Sequence, residues 1–221
     1  MKKILISICL AIVLSTAFAI AQNADNGKIS FAVLGGVNFQ NLNGKDVDGD
    51  KLENDLLTAF HAGVNVQIPI APEFFFQPGL LFAGKGAKNF AGSPADKHKI
   101  SYIELPLNVV YKPLLGKGHL LLGAGPYVAY AIGGKGTMGN NDVEMEFQST
   151  IEATDPDGVL YYKAFDAGAN IFAGYELEGG IFVQLDTQLG MLKINPEDKR
   201  ISGDKSSIKN TGFGLSIGYR F

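Results

Sequence analysis

Phe213-Gly214-Leu215-Ser216-Ile217-Gly218-Tyr219-Arg220-Phe221 closes the chain. Every odd position in it is large and apolar, and every even position is small or polar. Side chains on a strand point alternately to opposite faces, so the stretch predicts a strand with one wholly apolar side. Chain ends fray unless something ties them down. An aromatic as the last residue of such a strand is expected where the outer face meets lipid and the edge pairs with another strand. The stretch therefore predicts the closing strand of a transmembrane β-barrel. Leu215, Ile217, Tyr219 and Phe221 are then the assembly signal that the barrel-assembly machinery reads in proteins of that class.

The same alternation recurs upstream. Segments 31–40, 58–68, 74–83, 100–112, 119–132, 165–177, 181–190 and 209–221 all carry it. In the second, Phe60, Ala62, Val64, Val66 and Ile68 oppose His61, Gly63, Asn65 and Gln67. In the seventh, Val183, Leu185, Thr187 and Leu189 oppose Gln184, Asp186 and Gln188. The connections 41–57, 84–99, 133–164 and 191–208 are long and polar, whereas 69–73, 113–118 and 178–180 are short. Long and short alternate strictly, beginning and ending with long. Outer-membrane barrels have an even strand count, short periplasmic turns and long outer loops. The expectation is an all-β, eight-stranded antiparallel up-and-down transmembrane β-barrel in the cell outer membrane, with both termini periplasmic.

The beginning of the chain agrees. Lys2 and Lys3 precede an apolar run and the small-residue pattern Ala19-Ile20-Ala21, the layout of a secretory signal peptide. Cleavage after Ala21 is expected, giving residues 1–21 as signal peptide and 22–221 as one barrel domain. The single cysteine, Cys9, lies in the removed part, so no disulfide or cysteine metal site is expected. Without Lys2 and Lys3, 17 basic residues face 22 acidic ones, a net charge of -5. That balance gives nucleic acid no footprint. Glycine, 28 of 221 residues, is nearly double its usual share of ~7%, which suits tightly curved sheets. The apolar run 120–132 contains Gly123, Gly125 and Pro126 and is too short for a membrane helix.

Several short motifs in order bear a family likeness. They are Gly36-Val37-Asn38-Phe39, Phe60-His61-Ala62-Gly63, Phe76-Gln77-Pro78-Gly79-Leu80-Leu81, Tyr102-Ile103-Glu104-Leu105-Pro106-Leu107, Gly125-Pro126-Tyr127, Asp166-Ala167-Gly168 and Gly218-Tyr219-Arg220-Phe221. On these the chain resembles the PorT-like outer-membrane β-barrels of Bacteroidota over nearly all of its mature length. The resemblance implies an eight-stranded barrel of OmpX/OmpA-like architecture. Its founding member belongs to the type IX secretion system, a role that no motif here carries over.

The inward faces collect Glu104, Asp166, Asp186 and Arg220, with His61, Gln67, Gln77, Asn108, Asn170, Gln184 and Gln188. An eight-stranded barrel is only wide enough for its own side chains, and buried charges need partners. The expectation is a hydrogen-bonded plug in which the Arg220 guanidinium forks to one of the three carboxylates. A gated path or a small-ligand cavity is the competing reading.

Asp46-Val47-Asp48-Gly49-Asp50 imitates a calcium loop, but Lys51 and Leu57 stand where an EF-hand requires Gly and Glu. It reads as a solvated acidic loop. His98 lies near Ser93, Asp96 and Ser101 in the stretch read as a loop, with no rigid scaffold to align a triad. No catalytic residue, metal or cofactor is therefore expected. Tyr and Phe residues near strand ends, such as Tyr111, Tyr130, Tyr175, Phe74 and Phe82, read as interface girdles. The functional expectation is a non-enzymatic barrel with a structural or surface-interaction role; the alternative is a barrel linked to secretion, type IX included, or to small-solute passage. Expected partners are outer-membrane lipid and lipopolysaccharide, the barrel-assembly machinery and an unknown protein met through the outer loops.

Overall fold

The computed structural model describes residues 28–89 and 95–221. The expected signal peptide lies outside the described residues. Eight long strands form the wall: β1 (Ser30–Lys45), β2 (Asp55–Ala71), β3 (Phe74–Lys88), β4 (Lys97–Tyr111), β5 (Gly118–Met138), β6 (Phe165–Glu176), β7 (Ile181–Gly190) and β8 (Ser207–Arg220). Each pairs antiparallel with its chain neighbours. The sheet closes where β1 meets β8, from Ala32 opposite Arg220 to Lys45 opposite Ser207. The result is a closed eight-stranded antiparallel β-barrel, in which no wall strand is left with a free edge.

The terminal strand faces as its alternation predicts. Phe213, Leu215, Ile217, Tyr219 and Phe221 are exposed on the outer wall, Phe221 by 73%. The Phe221 N–H donates to the Phe31 carbonyl at 2.8 Å, which ties the last residue to the first strand. Phe60, Val64, Leu80, Val128, Ile171, Val183 and Leu185 are exposed on other strands with the same parity. Phe39 stacks on Phe213, and Phe74 on Tyr111. An apolar surface of this extent on a soluble monomer would drive association; on a closed barrel it is the face that meets hydrocarbon.

The wall continues well past the segments read from alternation. Strand reaches into both sides of the region 84–99, read as a long polar loop: β3 runs to Lys88, and β4 starts at Lys97. Small residues carry it, since Gly84, Gly86 and Ala87 leave the strand with little apolar signal. Gly86 has φ near +140°, a conformation that side-chain-bearing residues rarely adopt.

At the opposite end the turns are tight. In the last of them Gly180, with φ +84°, donates to Leu177 O at 2.9 Å, and Leu177 N–H donates to Ile181 O at 2.8 Å. The connections 139–164 and 191–206 fold back over their end of the barrel. There Met145–Phe147 pairs in parallel with Leu160–Tyr162, and Thr150–Ile151 with Glu197–Asp198.

Candidate functional site

The lumen is layered. At the long-loop end an apolar plug fills the mouth. Leu160 and Tyr162 from one loop and Ile194 from the next are buried against Leu42, Ala87, Ile100, Tyr102 and Tyr127 of the wall. The His98 ring lies under this plug, in hydrogen-bond contact with the Tyr162 hydroxyl at 2.6 Å and the Ala95 carbonyl at 3.2 Å. His98 is therefore a buried strand residue and not part of a flexible loop. Ser93 falls outside the described residues, and the Asp96 carboxylate accepts from Gly139 N–H at 3.0 Å.

Beneath the plug sits Lys85, wholly buried. Its ammonium lies 2.7 Å from Glu104 and 3.3 Å from Asp166, both also wholly buried, and 4.1 Å from the Tyr127 ring centre. Asp166 also accepts from Tyr127 Oη at 3.2 Å and Asn210 Nδ2 at 2.9 Å, and Glu104 accepts from Gln188 Nε2 at 2.6 Å. The expected fork from Arg220 to these carboxylates does not occur. Asp166 is the second residue of β6 while Arg220 ends β8, beside Glu176 at the other end of β6. Ten residue steps separate Asp166 from Glu176, roughly 33 Å along the strand. Lys85, read as a loop residue, supplies the cation instead.

The middle layer is polar and partly open. Asp186 has no cation within ion-pair distance among the described residues; it accepts from Ser216 Oγ at 3.5 Å. Ser216 contacts His61 Nε2 at 2.7 Å, and His61 Nδ1 meets Asn38 Oδ1. The ring lies over Gly36, where an added Cβ would stand 2.7 Å from it and closer still to the fixed Leu215 carbonyl oxygen, so only glycine fits there. The contacts run from the Asp186 carboxylate through the Ser216 hydroxyl and the His61 imidazole to the Asn38 amide oxygen. The imidazole thus lies between hydroxyl and amide, the order of a nucleophile-His-Asn triad, but all three of these side chains are buried inside the lumen. A cavity of about 60 Å³ adjoins this layer, lined by Asn108, Asn170, Gln184 and Asp186 among others. The side-chain oxygens of Asn108 and Asn170 are buried and have no protein partner. A volume of this size holds about four waters, which suit such oxygens.

At the terminus end Arg220 and Lys112 share Glu176. Arg220 Nε lies 2.9 Å and Lys112 Nζ 2.6 Å from its two oxygens. The guanidinium also donates to Asn65 Oδ1 at 3.2 Å and Gln77 Oε1 at 3.4 Å. Below them a bowl of about 1090 Å³ opens outward, lined by Lys28, Lys117, His119, Tyr219 and Phe221 among others.

Of the four residues singled out from sequence, Glu104 and Asp166 share one cluster, Asp186 stands in the middle layer and Arg220 lies at the far end. Lys85, Lys112 and Glu176 were missed. Each keeps the inward parity of a residue already recognised: Lys85 that of Gln77, Lys112 that of Glu104 and Asn108, and Glu176 that of Asp166 and Asn170. Lys112 and Glu176 already lie within the alternating segments 100–112 and 165–177, and extending 74–83 by two residues reaches Lys85. In the acidic loop the Asp46 carboxylate accepts from the N–H groups of Asp48, Gly49 and Asp50.

Solved structures similar to the chain are small barrels of the outer membrane. OprG from Pseudomonas aeruginosa is 12% identical with a TM-score of 0.49, over 87% of this chain and 95% of that one. The Ail attachment invasion locus protein of Yersinia pestis is 13% identical with a TM-score of 0.43, over 88% and 100%. No match was found among curated proteins. Residues 20–195 match the family model described as an outer membrane protein beta-barrel domain, and the chain belongs to that family.

Proposed function

We propose that this protein is a non-enzymatic outer-membrane barrel with a closed lumen, whose looped end makes its contacts. One observation carries the reading: the barrel mouth is filled by Leu160, Tyr162 and Ile194, directly above the buried Lys85–Glu104–Asp166 cluster. A lumen packed this way is expected to stiffen the wall and to block a continuous water path. The barrel presents the loops 139–164 and 191–206 to the cell exterior, and both termini lie in the periplasm. Residues 1–21 serve as the signal peptide, and Leu215, Ile217, Tyr219 and Phe221 as the assembly signal. Lipopolysaccharide surrounds the wall, and a protein partner meets the loops. The PorT-like motifs support placement of the chain among the Bacteroidota members of the family.

Three measurements test this. Fractionation is expected to place the processed chain in outer membranes, and the folded protein to migrate faster before boiling than after. Leu215→Arg or Ile217→Arg is expected to impair insertion by about 2–4 kcal/mol near the midplane. Planar-bilayer recording is expected to show almost no conductance. Steady open-channel currents would replace this reading with small-solute passage, for which the polar cavity beside Asp186 would be the path.

A further inference from the structure

A cleft of about 550 Å³ lies outside the lumen, at the junction of wall and loops. Its lower lip is Tyr130 and Phe165, directly paired across β5 and β6 and both exposed on the outer wall. Its roof is Phe147 with Gln148 and Ser149, and its far side is Leu192 with Lys193. Lys163 completes the lining, which contains two lysines and no carboxylate. That absence contrasts with the surrounding loops, where Asp142, Glu144, Glu146, Glu152, Asp155, Asp157 and Glu197 crowd the sequence. Among the described residues the Lys163 ammonium has no hydrogen-bond or ion-pair partner. The Lys193 ammonium donates only to the Ser206 carbonyl, at 3.1 Å. The backbone around the cleft is fixed: Lys163 N–H donates to Ile194 O at 2.7 Å, Gln148 N–H to Tyr162 O at 2.9 Å and Ala131 N–H to Ala164 O at 2.7 Å.

We infer that this cleft holds the phosphorylated headgroup of an outer-leaflet lipid. Two features select that occupant. Its lip is continuous with the wall that faces hydrocarbon, so a ligand seated there keeps its acyl chains against Tyr130, Phe165 and the apolar wall below. Its polar part carries a positive charge with no acid in the lining to neutralise it, which matches a phosphate and repels a cationic amine. Basic pockets at the membrane surface bind anionic headgroups on the same grounds. The cleft thereby gives the barrel a fixed lipid neighbour on the β5–β6 side, beneath the loop pair that closes the lumen.

The inference rests on the outer-membrane reading, and the experiment separates the two. The full chain is reconstituted in phosphatidylcholine nanodiscs, and heat-modifiable migration reports folding and insertion independently of the lipid measurement. Retention of diphosphorylated lipid A is then followed by native mass spectrometry, beside the same lipid with both phosphates removed. Lys163→Gln with Lys193→Gln is expected to weaken retention of the diphosphorylated lipid roughly 30-fold and to leave the dephosphorylated lipid unchanged. Lys135→Gln with Lys205→Gln makes the same charge change elsewhere on the loops and is expected to have no effect. Equal losses from both double variants, or equal retention of both lipids by the unmodified chain, would overturn the inference. Displacement of the lipid by an equal concentration of inorganic phosphate would also overturn it, because the site would then belong to the free anion.

Discussion

The two ends of the lumen solve one problem in different ways. Both bury ionised side chains inside a wall that faces lipid. At the long-loop end one ammonium serves two carboxylates, all wholly buried, under an apolar plug. At the terminus end two cations serve one carboxylate, and a bowl of about 1090 Å³ lets water approach. A dry charge depends entirely on its partner, since desolvation of an ion costs several kcal/mol. A charge beside water has a second source of solvation. The long-loop end is therefore the brittle seal and the terminus end the forgiving one.

The largest expected effect follows from removing the single cation. Lys85→Met leaves Glu104 and Asp166 facing each other unpaired and is expected to cost about 3–5 kcal/mol, read from urea unfolding in lipid vesicles. Replacing all three together, as Lys85→Met, Glu104→Gln and Asp166→Asn, is expected to recover most of that loss, because no unpaired charge then remains. If Lys85→Met alone proves as stable as the unmodified protein, the long-loop end is not dry, and the contrast between the ends fails.

The plug above that cluster comes next. Ile194 is wholly buried although it belongs to a connection. Ile194→Ala is expected to cost about 2–4 kcal/mol. The expected accompaniment is brief conductance events in planar bilayers, since the packing that closes the mouth is loosened. Stability loss without any conductance would assign the seal to Lys85 and its carboxylates alone.

At the terminus end, Lys112→Met leaves Glu176 with Arg220 and with water. The expected loss is about 1–2 kcal/mol, clearly below that of Lys85→Met in the same unfolding assay. Equal losses would show that the bowl does not solvate Glu176 and would erase the distinction drawn between the two ends.

The contrast also marks what the sequence made legible. The eight-strand wall was readable because lipid demands an apolar residue at every second position, and Phe213 to Phe221 meets that demand without exception. The layout of the lumen was less readable, because inward positions tolerate glycine, amide, aromatic and charge alike. Lys85 lies in Gly84-Lys85-Gly86-Ala87-Lys88, which has the composition of a loop. Only its parity with Gln77 places it inside. Arg220 was correctly read as inward, but its partner depends on height along the wall, which alternation does not encode. The plug was the least readable part: Leu160, Tyr162 and Ile194 sit in polar surroundings with no period, and their burial follows from how two connections fold together.

The smallest expected effect concerns that folding together. Arg200 joins the two loops, with Nη2 2.8 Å from Asp198 in its own loop and Nη1 3.2 Å from Asp157 in the other. Hydrogen bonding from the Arg200 side chain holds the Asp198 carboxyl below its usual range. A carboxyl lowered in the folded state binds its proton less readily there than in the unfolded chain. Its contribution is therefore complete above the unfolded value of about 3.9 and is lost as the pH falls below that through the lowered folded value. Water screens a pair at the rim, so the contribution is expected to stay below about 1 kcal/mol. The readout is hydrogen exchange at the Glu197 and Lys199 amides, which donate to Ser149 O at 3.0 Å and Ile151 O at 3.1 Å across the loop pair. After correction for intrinsic rates, their protection is expected to hold from pH 7 to pH 5 and to weaken slightly by pH 3. Protection at the β1–β8 seam is expected to stay constant over the same range, because its backbone bonds carry no titrating group. A parallel loss at the seam would mean that acid opens the barrel as a whole, and the loop pair would then not be a separate cooperative unit.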